Sequence, residues 1–100
     1  MVIFFSRMTA RPEKRKELAQ TLESIVAQVR KKRGLLRSGF YQNFEEDNQF
    51  LLVEEWSSQE DFDDHMRSDI YTVLKGTESL LQRPLEIMTH AVDGLKELEV

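Results

Sequence analysis

The chain has 100 residues, of which 40% are hydrophobic and 32% are charged, and its formal net charge is -4. This length and composition predict a single globular domain over residues 1–100 and argue against a largely disordered chain. The negative charge and the scatter of the basic residues argue against a nucleic-acid partner, and the lack of cysteine excludes disulfides, thiolate nucleophiles and cysteine-held metals.

The first third of the chain predicts a strand and a long helix. Residues 2–9 are rich in β-branched and aromatic side chains, as in a strand, and Arg7 interrupts them too early for a signal peptide or a membrane span. With no cysteine, we expect a cytoplasmic protein without a membrane partner.

Pro12 suits the first turn of a helix, whose apolar face would comprise Leu18, Leu22, Ile25, Val26 and Val29. The basic residues 30–33 and Gly34 predict the helix end rather than a patch for nucleic acid or membrane, because cations offset the helix dipole and glycine accepts a left-handed conformation.

A hairpin and a second helix are predicted next. Residues 35–46 and 49–56 have the composition of two strands, and the polar pair 47–48 suits the turn between them. Ser57 and Glu60 have the spacing of a capping box, which predicts that a helix begins directly after the third strand.

The last third predicts a break, more helix and a final strand. Residues 68–69 form a break or a fresh N-cap, after which an apolar face continues through Ile70, Val73 and Leu74. Residues 78–83 predict a helical turn or loop, residues 84–92 a strand that opens on proline, and residues 93–100 a short tail that could be helical.

The element order β-α-β-β-α-β predicts an α+β, ferredoxin-like fold with two helices on one face of a four-stranded antiparallel sheet. The other face of such a sheet is usually polar. Here, apolar residues occupy both faces of two strands, with Ile3, Phe5, Leu51 and Val53 opposite to Val2, Phe4, Phe50 and Leu52. At about 25 cal/mol per Å² of apolar surface, leaving several of these side chains in water would cost several kcal/mol. We therefore expect a homodimer in which two sheets pack face to face as a dimeric α+β barrel.

The segment from Phe50 to Trp56, the capped residues 57–61, His65 and residues 68–71 resemble the signature of the antibiotic biosynthesis monooxygenase family. Its members have an apolar strand ending in Glu-x-Trp or Glu-x-Tyr, then a capped helix that carries a histidine. The resemblance implies a cofactor-independent monooxygenase that oxidises a small aromatic, quinol-like or polyphenolic substrate with O2. The heme-degrading branch is a poorer match, because residues 74–77 contain no histidine.

His65 is the leading catalytic candidate, because it shares a predicted helix face with Phe62 and Met66 and should lie at the edge of an apolar cavity. A buried, neutral imidazole can accept a proton. Glu54 and Trp56 alternate on one strand face, so that Glu54 could orient His65 or accept a proton itself. The alternative for both candidates is a structural role, with His65 satisfied by one hydrogen bond and Glu54 bonded to backbone or to the indole N–H.

The candidate substrate-binding residues are Trp56, Tyr41, Asn43, Phe5, Phe62 and Tyr71. Large aromatic side chains are more often core than substrate platform, and the sequence leaves open which sheet face lines a pocket. His65 and His90 lie far apart in the sequence without a spaced carboxylate partner, so we expect no metal site, and no motif predicts a cofactor.

Two other functions stay open at this stage. One is a small-molecule isomerase or degradative enzyme on the same scaffold, which would use His65 without oxygen. The other is a non-catalytic ligand-binding or stress-response dimer, because one fold hosts many functions.

Overall fold

The computed structural model describes residues 1–94 and 96–98. Its elements are β1 (Val2–Thr9), a 3₁₀ turn (Pro12–Lys14), α1 (Arg15–Val29), β2 (Leu35–Gln42), β3 (Gln49–Trp56), α2 (Gln59–Met66), α3 (Asp69–Gly76), a second 3₁₀ turn (Thr77–Leu80) and β4 (Glu86–Ala91). The strands form one antiparallel sheet in the order β2-β3-β1-β4. This architecture confirms the α+β, ferredoxin-like prediction, with the second helix divided into α2 and α3.

The long first helix packs through the apolar face that the sequence predicted. Its buried residues are Leu18, Leu22, Ile25, Val26 and Val29. The prediction for its end was wrong in detail, because α1 ends at Val29 and the basic residues 30–33 follow the helix instead of forming its last turn. Gly34 does have a positive φ of 85°, but it serves the turn into β2.

The turn at Gly34 joins α1, β2 and the start of α2. The Gly34 carbonyl accepts a hydrogen bond from the backbone N–H of Ser57 at 2.7 Å. A Cβ atom on Gly34 would lie 2.3 Å from Oδ2 of Asp61. Glycine is therefore required here both for its backbone conformation and for the close approach of α2.

The capping box predicted at Ser57 and Glu60 is shifted by one residue. Ser58 is the N-cap of α2, and its hydroxyl accepts a hydrogen bond from the backbone N–H of Asp61 at 3.1 Å. Ser57 is not the cap because α2 begins at Gln59, one residue later than the sequence predicted, while the N–H of Ser57 is paired with Gly34.

The second strand is shorter than predicted, since β2 ends at Gln42. The Asn43 side chain accepts a hydrogen bond from the backbone N–H of Glu45 at 2.8 Å, which turns the chain out of the sheet. Phe44 lies in the resulting loop and is fully exposed, so it is not part of the strand predicted over residues 35–46.

Smaller differences concern the C-terminal third. Ser68 is the N-cap of α3, as the break at residues 68–69 predicted. Val73 is exposed rather than part of the apolar face. No helix is present at residues 93, 94 and 96–98, while residues 95, 99 and 100 of the predicted helical tail lie outside the described residues.

The two faces of the sheet differ in what covers them. The face toward the helices is closed, and its core side chains include Val2, Phe4, Met8, Phe50, Leu52 and Trp56. The opposite side, here called the open face, has half-buried Phe5 and Leu51 and exposed Met88. Apolar residues thus occupy both faces, as predicted. Within the described part of the chain, no helix combines the length and apolar character needed to cross a bilayer.

We expect Gly34→Ala to lower the free energy of unfolding by more than about 1 kcal/mol, because alanine would be strained at positive φ and would clash with Asp61. The control is Gly76→Ala in α3, where no atom lies within 4 Å of the added Cβ. Alanine there should stabilise the protein by about 0.4–1 kcal/mol. Urea denaturation measures both effects, and equal stabilities for the two variants would contradict this account of the turn.

Candidate functional site

Two buried side chains, Trp56 of β3 and His65 of α2, meet at one carboxylate oxygen of Glu54. Nε1 of Trp56 donates a hydrogen bond to Oε1 of Glu54 at 3.0 Å. Nε2 of His65 lies 3.3 Å from the same oxygen. Glu54 and Trp56 are 0% exposed and His65 is 3% exposed. Glu54, Trp56 and His65 are called the Glu54 cluster below.

The local sequence explains how the Glu54 cluster forms. Residues two apart on a strand face the same side of a sheet, so Glu54 and Trp56 both point toward the helices. The Ser58 cap begins α2 two residues after β3 ends, which folds the helix back over the strand. His65 follows Phe62 by three residues, so both occupy the inner face of α2.

Aromatic contacts fix the plane of the imidazole. The His65 ring stacks on the Trp56 indole with centroids 4.7 Å apart and an interplanar angle of 25°. Tyr71 meets His65 edge-on at 6.4 Å, and Phe62 meets Trp56 edge-on at 6.4 Å. These contacts hold the plane of the imidazole, and in that plane Nε2 faces the carboxylate.

The second ring nitrogen of His65 faces the start of α3. Nδ1 lies 3.5 Å from the hydroxyl oxygen of Ser68. A neutral imidazole that donates its Nε2–H to a carboxylate has a lone pair on Nδ1, which accepts hydrogen bonds and protons. The other carboxylate oxygen, Oε2 of Glu54, is buried without a hydrogen-bond partner among the described residues.

A small pocket of about 100 Å³ opens the Glu54 cluster to the surface beside His65 and Trp56. Its other lining residues are Lys32, Arg33, Asp61 and Asp64. Arg33 pairs with Asp61 at 3.7 Å, so charges of both signs surround the opening. A cavity of about 150 Å³ is known to hold one benzene molecule, so the present volume admits the edge of a single ring.

The predicted site residues are divided between the two faces of the sheet. Glu54, Trp56, His65, Phe62 and Tyr71 come together on the helix side. Phe5 instead lines a groove of about 450 Å³ on the open face, whose other lining residues include Leu51, Met88 and His90. Tyr41 and Asn43 line a separate groove of about 260 Å³ at the β2–β3 end of the sheet.

Sequence reasoning missed Ser68 and Lys32 as neighbours of the Glu54 cluster. The spacing of Ser68, three residues after His65, was a usable signal, because such pairs are neighbours on a helix or at its end. Lys32 had no local signal, since only the fold brings the α1–β2 turn next to α2. Within residues 1–94 and 96–98, no three His, Cys, Asp or Glu side chains gather in a way that could hold a metal ion.

Comparisons with known proteins place this fold in a family. Residues 1–75 match the family model described as antibiotic biosynthesis monooxygenase. The chain is 27% identical over 90 residues to the "Putative monooxygenase YcnE" of Bacillus subtilis, covering 88% of this chain and 94% of that protein. It is 23% identical over 92 residues to the uncharacterized protein sll1783 of Synechocystis, covering 91% of this chain but only 63% of that protein's length.

Solved structures show the same fold. A crystal structure of a "putative antibiotic biosynthesis monooxygenase" from Deinococcus radiodurans matches with a TM-score of 0.90 and 20% identity over 100% of both chains. The structure of Rv0793 from Mycobacterium tuberculosis matches with a TM-score of 0.84 and 24% identity over 98% of both chains. At these identities the likeness establishes the architecture alone.

We expect Glu54→Ala to lower the free energy of unfolding by about 3 kcal/mol or more, because it leaves the buried indole N–H of Trp56 unpaired and opens a cavity. The control is Glu45→Ala, at an exposed loop position, which should change stability by less than about 0.5 kcal/mol. Urea denaturation followed by tryptophan fluorescence measures both free energies of unfolding, since Trp56 is the one tryptophan of the chain. Similar stabilities for the two variants would show that the carboxylate does not hold β3 and α2 together.

Proposed function

The chain belongs to the antibiotic biosynthesis monooxygenase family, and from that premise we propose that it is a cofactor-independent monooxygenase that oxidises a small, quinol-like aromatic substrate with O2. The observation that carries the proposal is the Glu54 cluster, in which a buried imidazole contacts a carboxylate and lies beside a pocket to the surface. A histidine held in this way has the features of a general base.

The proposed chemistry begins with proton transfer from a phenolic hydroxyl of the substrate to His65. Glu54 then stabilises the imidazolium, because its Oε1 lies 3.3 Å from Nε2. The substrate anion, whose ring would lie against the Trp56 indole that lines the pocket, is electron-rich enough to donate an electron to O2. No group beyond the chain itself is needed for the first step.

The volume of the pocket narrows the substrate class. About 100 Å³ suits the hydroxyl-bearing edge of one aromatic ring. A phenol or quinol with an unhindered hydroxyl edge therefore fits, with the rest of the molecule outside. Of the predicted binding residues, Trp56 lines this pocket and would contact the ring, while Phe5, Tyr41 and Asn43 lie too far around the sheet to share it.

The test is oxygen uptake with a panel of substituted hydroquinones. We expect His65→Ala to lower kcat/KM by about 10²–10⁴, the usual contribution of a general base. The control is Lys16→Ala on α1, an exposed position that lines neither the pocket nor the open-face groove. Unchanged turnover in His65→Ala would refute the assignment of the base, and a panel that consumes no oxygen would refute the monooxygenase.

A second candidate function is ligand binding without catalysis. It is favoured by one observation, namely that protein groups face both ring nitrogens of His65, as in a structural histidine. A ligand that binds without oxygen consumption and without chemical change would support it. Conversion of that ligand under anaerobic conditions would instead identify an isomerase or degradative enzyme on the same scaffold.

We further propose that the protein acts as a homodimer through the open face. Half-buried Phe5, Leu51 and Val53 and exposed Met88 form a contiguous apolar surface there, because β4 and β3 flank β1. An apolar patch of this kind on a small domain is typical of an interface. Packing two such faces together would form the dimeric barrel and would cover the groove that Phe5 lines.

We expect Met88→Lys to shift the protein toward monomers, because it places a charge in the apolar surface of the proposed interface. The matched control is Val73→Lys on α3, since both side chains are 47% exposed in the single chain and only Met88 lies on the open face. Sedimentation velocity at micromolar concentration measures the result. A wild-type protein that sediments as a monomer would refute the dimer.

A further inference from the structure

The two N-cap serines of the second helical region use their hydroxyls differently. Ser58 caps α2 in the usual way, by accepting a hydrogen bond from the backbone N–H of Asp61 at 3.1 Å. Ser68 occupies the same position in α3, but its side chain makes no capping hydrogen bond. Its hydroxyl oxygen lies 3.5 Å from Nδ1 of His65 instead. A capping serine is ordinarily worth about 1 kcal/mol to its helix, so a serine at this position that does not cap calls for another role.

We propose that Ser68 is a positioning residue that fixes the tautomer of His65 and connects its buried Nδ1 with the outside. The proposal rests on the proposed function, because it assigns the nitrogen through which His65 would exchange a proton. Ser68 is half-buried, whereas His65 is 3% exposed. Nδ1 thus contacts a hydroxyl on a more exposed residue.

The geometry leaves Nδ1 as the nitrogen that can exchange a proton. Nε2 faces the buried Oε1 of Glu54 at 3.3 Å, and that oxygen already accepts the indole N–H of Trp56. An imidazole that donates Nε2–H to this carboxylate has its lone pair on Nδ1. The Ser68 O–H can donate to that lone pair, and so both contacts favour the same tautomer.

A hydroxyl suits both states of the proposed base. It donates to Nδ1 when the imidazole is neutral, and after Nδ1 has gained a proton it rotates and accepts the new N–H. No bond other than the transferred N–H forms or breaks. At 3.5 Å the Ser68 contact is at the outer limit of a hydrogen bond, so a substrate oxygen that reaches Nδ1 can replace it at little cost.

The experiment is ¹⁵N NMR of the imidazole in the intact protein, in the absence of substrate. Ser68→Ala should move the Nδ1 resonance, because the lone pair loses its donor, and should raise the fraction of the Nδ1–H tautomer. Its Tm should change little, since the lost hydroxyl makes no capping bond. Ser68→Thr retains the hydroxyl and should restore the wild-type resonances.

Ser58→Ala is the matched control, because it removes a serine hydroxyl from the preceding N-cap. It should lower Tm by roughly 4–8 °C through loss of the cap while leaving the His65 resonances in place. The proposal is overturned if Ser68→Ala leaves both ring-nitrogen resonances at their wild-type positions, if Ser68→Thr does not restore them, or if Ser58→Ala shifts them equally.

This readout separates the proposal from the proposed function. Loss of the wild-type tautomer in Ser68→Ala supports the positioning role even if no hydroquinone consumes oxygen, in which case only the monooxygenase fails. With an active substrate, Ser68→Ala should lower kcat by about tenfold at unchanged KM, since the serine affects the proton transfer and not the pocket walls. An unchanged kcat together with unchanged resonances would overturn the proposal on both counts.

Discussion

The carboxylate of Glu54 is the constraint around which the helix side of this protein is organised. A carboxylate that is 0% exposed would be very costly without donors. Its Oε1 accepts the indole N–H of Trp56 and lies beside Nε2 of His65. Because Trp56 ends β3 and His65 belongs to α2, this one oxygen joins the strand to the helix that follows it. The stacked rings of Trp56 and His65 are held at 4.7 Å as a consequence.

The sheet separates two kinds of surface that serve different purposes. Toward the helices, alternation along β3 supplies both core residues and the polar group of the Glu54 cluster. On the open face, the same alternation presents Leu51 and Val53 of β3 beside Phe5 of β1, and Met88 of β4 lies on the other side of β1. The helix side therefore has the chemistry expected of a site, and the open face has the apolar character expected of an interface. One strand pattern thus places the Glu54 cluster and the apolar open face on opposite sides of the same sheet.

The helix side also limits what the site can accept. The imidazole contacts the rings of Trp56 and Tyr71, and the opening of about 100 Å³ beside it is bordered by charged residues from the α1–β2 turn and from α2. A ligand must therefore present a small polar edge to His65 and keep the rest of its bulk outside. The break between α2 and α3 matters for the same reason, because it directs Ser68 toward Nδ1 and Tyr71 over the ring.

The sequence by itself determined the element order, the apolar face of α1, the two apolar sheet faces and the pairing of Glu54 with Trp56, because these follow from local periods of 3.6 and 2 residues. It also placed His65 and Phe62 on one helix face. The tertiary structure alone decided that His65 meets Glu54 rather than solvent, that Phe5, Tyr41 and Asn43 belong to the other face, and that Ser68 turns away from its helix. Those outcomes depend on how α2 folds back over β3 and on the order of the strands in the sheet. Contacts between segments that are distant in the sequence leave no periodic pattern in it.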